Sequence, residues 1–151
     1  MKYNIEINIK SPISKIISLL EDRKNDKIWQ EGLVNFEHIE GSAGKEGAKS
    51  KITYAFGKRE IEIRETIIKK GLNKSSFEYE SNMVYNIVEN SFISIDKNNT
   101  RWKQDHDFRG KSILLRIIIF LMPNVFKKQS IKFLNDFKKF TEINQYEESS
   151  I

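Results

Sequence analysis

The stretch from Thr100 to Arg109 constrains the fold more than any other. Thr100, Trp102, Gln104, His106 and Phe108 fall on one phase of a two-residue period, and Arg101, Lys103, Asp105, Asp107 and Arg109 fall on the other. Side chains on a β-strand point to alternate faces, so this strand has one charged, wet face and one aromatic, sheltered face. The same period recurs in Tyr3, Ile5, Ile7 and Ile9, and in Ile52, Tyr54 and Phe56. It returns in Ile61, Ile63 and Ile67, with Glu65 on the same face, and in the inward set Phe77, Tyr79 and Met83. Leu33 to Ile39 and a segment ending near Ile95 read as further strands. Turn residues separate them: Gly41, Gly44 and Gly47, then Gly57-Lys58, Gly71 to Lys74, and Asp96 to Asn99. Consecutive strands joined by short turns make an antiparallel meander, and its apolar face needs a cover.

Helical signals lie at the two ends. After the first strand, Ser11 is placed to cap a helix and Pro12 suits its first turn. Ile13, Ile16, Ile17 and Leu20 then form one apolar stripe. The charged segment Glu21 to Gln30, which carries Trp29, reads as a second short helical piece or a loop. Beyond Gly110, Ile113 to Met122 is an apolar helical lead-in, and Pro123 marks a bend or a helix start. A long helix follows from Asn124 to about Asn144. Phe126, Phe133, Leu134, Phe137 and Phe140 share one stripe, and Lys128, Lys132 and Lys139 the opposite one. The expected fold is α+β. A curved antiparallel sheet of about six or seven strands wraps around the long C-terminal helix, with two short helices after the first strand. One domain is expected over residues 1–145, with a frayed tail over 146–151.

Composition removes several functions. The chain has no cysteine, so disulfides, thiolate metal sites and cysteine nucleophiles are excluded. Its two histidines, His38 and His106, have no zinc-type spacing, and its glycines match no phosphate-binding fingerprint, so no metal or cofactor is expected. The formal charge of +5 hints at acidic partners, but carboxylates are interspersed along most of the chain and no nucleic-acid motif is present. Met1 to Lys10 alternates rather than forming an apolar run, unlike a secretory signal. Ile113 to Met122 is shorter than the roughly 20 residues that span a bilayer. A cytoplasmic protein is expected.

Several local features occur in a recognisable order. The opening strand runs into Ser11-Pro12 and an apolar helix, and Trp29 follows. Then come the glycine-punctuated stretch from Glu40 to Ala48, Thr100-Arg101-Trp102 at the start of the last strand, and Gly110. The closing helix carries Phe133-Leu134-Asn135-Asp136-Phe137-Lys138-Lys139-Phe140. In this order the chain resembles the START/SRPBCC superfamily, also called birch-allergen-like, and within it the polyketide cyclase/dehydratase-like group. The resemblance covers nearly the whole chain. It implies a helix-grip fold with a hydrophobic cavity for lipids, sterols, polyketides, hormones or similar molecules. Some relatives are enzymes and many only bind or carry. No catalytic pattern of the group is general enough to transfer to particular residues here.

The sheltered faces nominate a site. Trp29, Tyr54, Phe56, Ile63, Glu65, Phe77, Tyr79, Trp102, Gln104, His106, Phe108, Phe133 and Phe137 are the expected ligand-contacting set. A concave array of aromatics buries apolar ligand surface, while Glu65, Gln104 and His106 can orient polar atoms. Catalytic candidates are His106 as acid-base, with Glu65 and Glu89 as carboxylates. One hairpin register sets Glu89 across from His106, and the other sets Asn90 there. Three functions remain open. The chain can be a binder or carrier of a hydrophobic small molecule or lipid, an enzyme of the cyclase/dehydratase type using His106, or an interaction protein with a filled core. The apolar lead-in next to Lys127 and Lys128 also offers weak contact with an anionic membrane surface.

Overall fold

The alternating segments form the strands of one sheet. The computed structural model describes residues 1–149, with side chains described through residue 144. The expected tail, 146–151, falls on positions whose side chains lie outside the described residues. In chain order the elements are β1 (Lys2–Ile9), α1 (Ile13–Glu21), a 3-10 turn (Arg23–Asn25), α2 (Asp26–Trp29) and β2 (Leu33–Glu40). Next come β3 (Lys49–Phe56), β4 (Arg59–Lys70), β5 (Lys74–Glu80), β6 (Val84–Asp96) and β7 (Asn99–Gly110). The chain closes with α3 (Ile113–Leu121) and α4 (Pro123–Ser149).

The seven strands are antiparallel in the order β1-β7-β6-β5-β4-β3-β2. Strands β2 to β7 form the meander, and β1 joins its far edge by pairing Ile5 with Gln104 and Ile7 with Trp102. Register shifts interrupt the β2–β3, β4–β5 and β6–β7 ladders. Each extra residue bends its strand and raises the local twist, and this curls the sheet around the helix. The glycine-rich loop between β2 and β3 needs left-handed backbone, with φ of +79° at Gly41, +73° at Gly44 and +83° at Gly47.

The core forms where α4, α1 and α2 meet the β1, β7 and β6 side of the sheet. Phe137 and Leu134 of α4 are buried against Ile5, Ile9, Ile16, Phe92 and Trp102. Trp29 sits edge-on to Phe133 and Phe137, at 4.7 and 5.0 Å between ring centres. Trp102 meets Phe137 edge-on at 5.3 Å. Because α4 packs on the β1 side, the concave face of β2 to β5 is not filled by it.

Three local expectations need correction. Ser11 does not cap α1. Pro12 occupies the cap position, the Ser11 hydroxyl is buried without a partner, and the Ser11 carbonyl accepts from Thr100 Oγ1 at 2.7 Å. Met83 is not inward; it sits in the β5–β6 turn and is 64% exposed. Phe56 lies near the tip of the β3–β4 hairpin and is 47% exposed, because the concave face ends before the strand does. Pro123 starts α4 at its first position, where its missing N–H costs nothing. No helix among the described residues is long and apolar enough to cross a membrane.

Candidate functional site

A cavity of about 380 Å³ lies between the sheet's concave face, the α1–α2 segment and Phe133 of α4. Its interior wall is largely apolar: Ile67, Phe77, Phe92, Trp102, Trp29 and Phe133. The exposed members of the wall mark its mouth. They are Glu21 of α1, His38 of β2, Ala43 and Gly44 of the β2–β3 loop, Lys70 at the end of β4, Gly71 and Leu72 of the β4–β5 turn, and Lys74 at the start of β5.

One side of the wall is polar. Strand alternation turns Glu65 of β4 inward, and the register sets Tyr79 of β5 directly beside it. The 3-10 turn carries Arg23 above them, and α2 begins with Asp26. Arg23 Nη2 donates to Glu65 Oε1 at 2.5 Å, and Arg23 Nη1 donates to Asp26 Oδ2 at 3.3 Å. The Tyr79 hydroxyl donates to Glu65, and the guanidinium lies 4.4 Å from the centre of the Phe36 ring. Tyr54 donates to Gln30 Oε1 at 2.6 Å.

The electrostatics of this cluster are unbalanced. Two buried carboxylates share one guanidinium, which is itself a third exposed. Burial pushes the Glu65 carboxyl above its usual range, and the nearby Arg23 charge only partly offsets it. Asp26 is raised for the same first reason. Tyr79 and Tyr54 are pushed well up, first by burial and then by the neighbouring carboxylates. Arg23 is opposed by burial, yet Glu65, Tyr79 and Asp26 hold its charge firmly. The cluster therefore offers donors and acceptors of both signs at one end of an apolar space.

His106 belongs to a different network. In β6–β7 the residue opposite it is Val88, so neither expected register holds; Asn90 faces Gln104, and Glu89 pairs with Asp105 and is exposed. Asn86 Nδ2 donates to His106 Nδ1 at 3.1 Å, and His106 Nε2–H donates to Gln104 Oε1 at 3.2 Å. Gln104 Nε2 and Trp102 Nε1 both donate to Asn90 Oδ1 at 2.9 Å. Tyr3 stacks on the imidazole at 4.5 Å. Burial lowers the His106 pKa to about 4, so the ring is neutral at pH 7. Both ring nitrogens are occupied and the ring is not in the cavity wall, which leaves no free nitrogen for acid-base work.

Of the residues nominated by the sequence, Trp29, Glu65, Phe77, Tyr79, Trp102, Gln104 and Phe133 lie in the wall. Tyr54 stands behind Gln30, Phe137 is core, Ile63 is half-buried outside the wall, and Phe108 packs on Phe126 at 5.2 Å. Sequence reasoning missed Arg23, Asp26, Gln30 and Phe36, and offered Asn90 only as a neighbour of His106 rather than of Gln104. The available signal was the i, i+3 spacing of Arg23 and Asp26 beside Trp29, which reads equally well as a solvated face.

No family model and no curated protein matches the chain. Solved structures match it in shape. A START superfamily protein from Mycobacterium smegmatis superposes with a TM-score of 0.76 at 7% identity, over 93% of this chain and 97% of that one. The Zhui aromatase/cyclase from Streptomyces sp. R1128 gives 0.77 at 12% identity, over 94% and 93%. The chain has the helix-grip fold of these structures. A third helix-grip neighbour is a norcoclaurine synthase point mutant from Thalictrum flavum in complex with a transition state analogue, at 0.72 and 12% identity over 96% of both chains. At these identities the helix-grip likeness establishes the fold alone. It leaves the chemistry of the cavity to this chain's own residues.

Proposed function

We propose that the protein binds an apolar small molecule or lipid with a polar end, holding it between the concave sheet and α4. The observation that carries this reading is a cavity of about 380 Å³ whose apolar wall meets the Arg23–Glu65–Tyr79 cluster on one side. That size sits within the range of small-molecule sites. An interaction protein with a filled core has no use for such a space. Affinity comes from apolar burial at about 25 cal/mol per Å² removed from water, less the cost of ordering the complex. Arg23, Glu65 and Tyr79 set the orientation of the polar end.

Native mass spectrometry of freshly purified protein, followed by organic extraction, tests the reading directly. A stoichiometric apolar molecule supports it and names the ligand class. Phe77→Ala removes an aromatic wall contact worth about 2 kcal/mol and weakens uptake of that molecule roughly 30-fold. His106→Ala, outside the wall, weakens it far less. Equal losses in the two variants, with both folded, sink the reading.

An enzyme of the cyclase/dehydratase type is the second reading, and its support is Glu65 rather than His106. A carboxyl raised by burial and bonded to a tyrosine in a cavity wall is suited to proton transfer. Under this reading Glu65→Gln abolishes turnover of a polyketide-like substrate while binding survives.

A further inference from the structure

Helix α3 presents a surface that the cavity does not use. Ile113, Leu114, Phe120 and Leu121 are 77%, 68%, 82% and 69% exposed, and Ile117 is 50% exposed. On this helix only Ile119 is buried and Leu115 half-buried, so two side chains seat it on the protein while the rest face outward. Met122 and Val125 extend the patch into α4, and Met83 is tied to it through the Lys111 N–H bonded to the Met83 carbonyl. Monomers rarely leave so contiguous an apolar surface in water.

The chain segment that carries the patch has charge of one sign. From Gly110 to Asn135 the chain has no carboxylate, and its charged residues are Lys111, Arg116, Lys127, Lys128 and Lys132. Lys111 and Lys132 are engaged by Glu80, Glu31 and Asp136. Among the described residues the Arg116 side chain bonds only the Gly110 carbonyl, and Lys127 and Lys128 have no carboxylate partner. We infer that α3 docks the protein on an anionic lipid bilayer. The helix lies in the plane of the interface, its apolar side chains enter the acyl boundary, and Arg116, Lys127 and Lys128 meet lipid phosphates. Nine residues give a helix of roughly 14 Å, too short to cross and long enough to lie flat. A second copy of this chain fits the same patch poorly, because its own Arg116, Lys127 and Lys128 would be drawn close to the same residues in this one.

The docking face and the cavity mouth are at opposite ends. Strand β5 runs from Lys74, at the mouth, to Glu80, and the following turn carries Met83 beside Lys111 and α3. On a membrane the mouth therefore faces water, and a cavity ligand enters from the aqueous side. The docking does not depend on what the cavity holds.

Vesicle flotation tests this with phosphatidylcholine alone and with about 30% phosphatidylglycerol. The wild-type protein is expected to float with the anionic vesicles and to lose about tenfold or more of that affinity between 50 mM and 500 mM salt. Phe120→Ser/Leu121→Ser, both at exposed positions, abolishes flotation while circular dichroism is unchanged. Lys127→Glu/Lys128→Glu weakens it about tenfold or more. Equal binding to neutral and anionic vesicles, or none to either, overturns the inference. So does a stable dimer in light scattering that Phe120→Ser/Leu121→Ser splits while vesicles are ignored.

Discussion

His106 shows how a residue that looks chemical can be structural. Its ring receives one hydrogen bond, gives another and carries Tyr3 on its face. Its folded pKa of about 4 lies below the unfolded value of 6.5, so between those values the unfolded chain binds more protons. The stability linked to this ring is complete above about pH 6.5 and is lost as pH falls toward 4. Urea unfolding is expected to show about 2 kcal/mol less contribution at pH 5 than at pH 7, and His106→Gln removes that slope. A slope unchanged by the substitution contradicts the assignment. Arg23 gives the opposite case. Arg23→Ala leaves Glu65 and Asp26 buried without their cation, at a cost of about 2 kcal/mol at pH 7, less than for a fully buried pair because Arg23 is a third exposed. Glu65 and Asp26 have raised folded pKa values, so their native forms take up protons first as pH falls. The Arg23→Ala penalty therefore shrinks at pH 5. A penalty that grows on acidification argues against the pairing.

The elements differ in how openly the sequence displays them. Strands were legible because Ile5, Ile7 and Ile9, or Trp102, Gln104 and His106, repeat a two-residue period that does not keep to one helix face. The stripe of α4 was equally plain in Leu134 and Phe137. The segment 21–30 was legible as a short helical piece but not as part of the site, because its charged residues carry no period and only the closure of the sheet turns Arg23 toward Glu65. Glu89 illustrates the other failure. Hairpin register depends on where the extra residue falls, here between Ser94 and Asp96, and composition alone does not locate it. Gly32 makes a local test of the turn from α2 into β2. It stands at φ +80°, and a Cβ there would lie 2.9 Å from the Ala55 carbonyl oxygen. Gly57 has φ +64° with nothing within 4 Å. Gly32→Ala is expected to cost about 1 kcal/mol more than Gly57→Ala in thermal or urea unfolding. Equal costs show that the segment yields.

For the whole molecule, the sheet wrapped on a terminal helix followed from the order of the patterns, whereas the contents of the cavity wall did not. Seven of the nominated residues line it, but its polar corner comes from a stretch that reads as ordinary surface. β1 reaches its place only by pairing with β7, and the Met1 amino group bonds the Phe108 carbonyl across 107 residues of chain. A ribosome delivers β1 long before its partner β7. Until residue 99 emerges Ile5 and Ile9 have no strand to lie beside, and closing so long a loop is slow. A nascent chain arrested before residue 99 thus carries an unsatisfied strand edge on β1. That edge invites a chaperone or a neighbouring nascent chain until β7 emerges to take it.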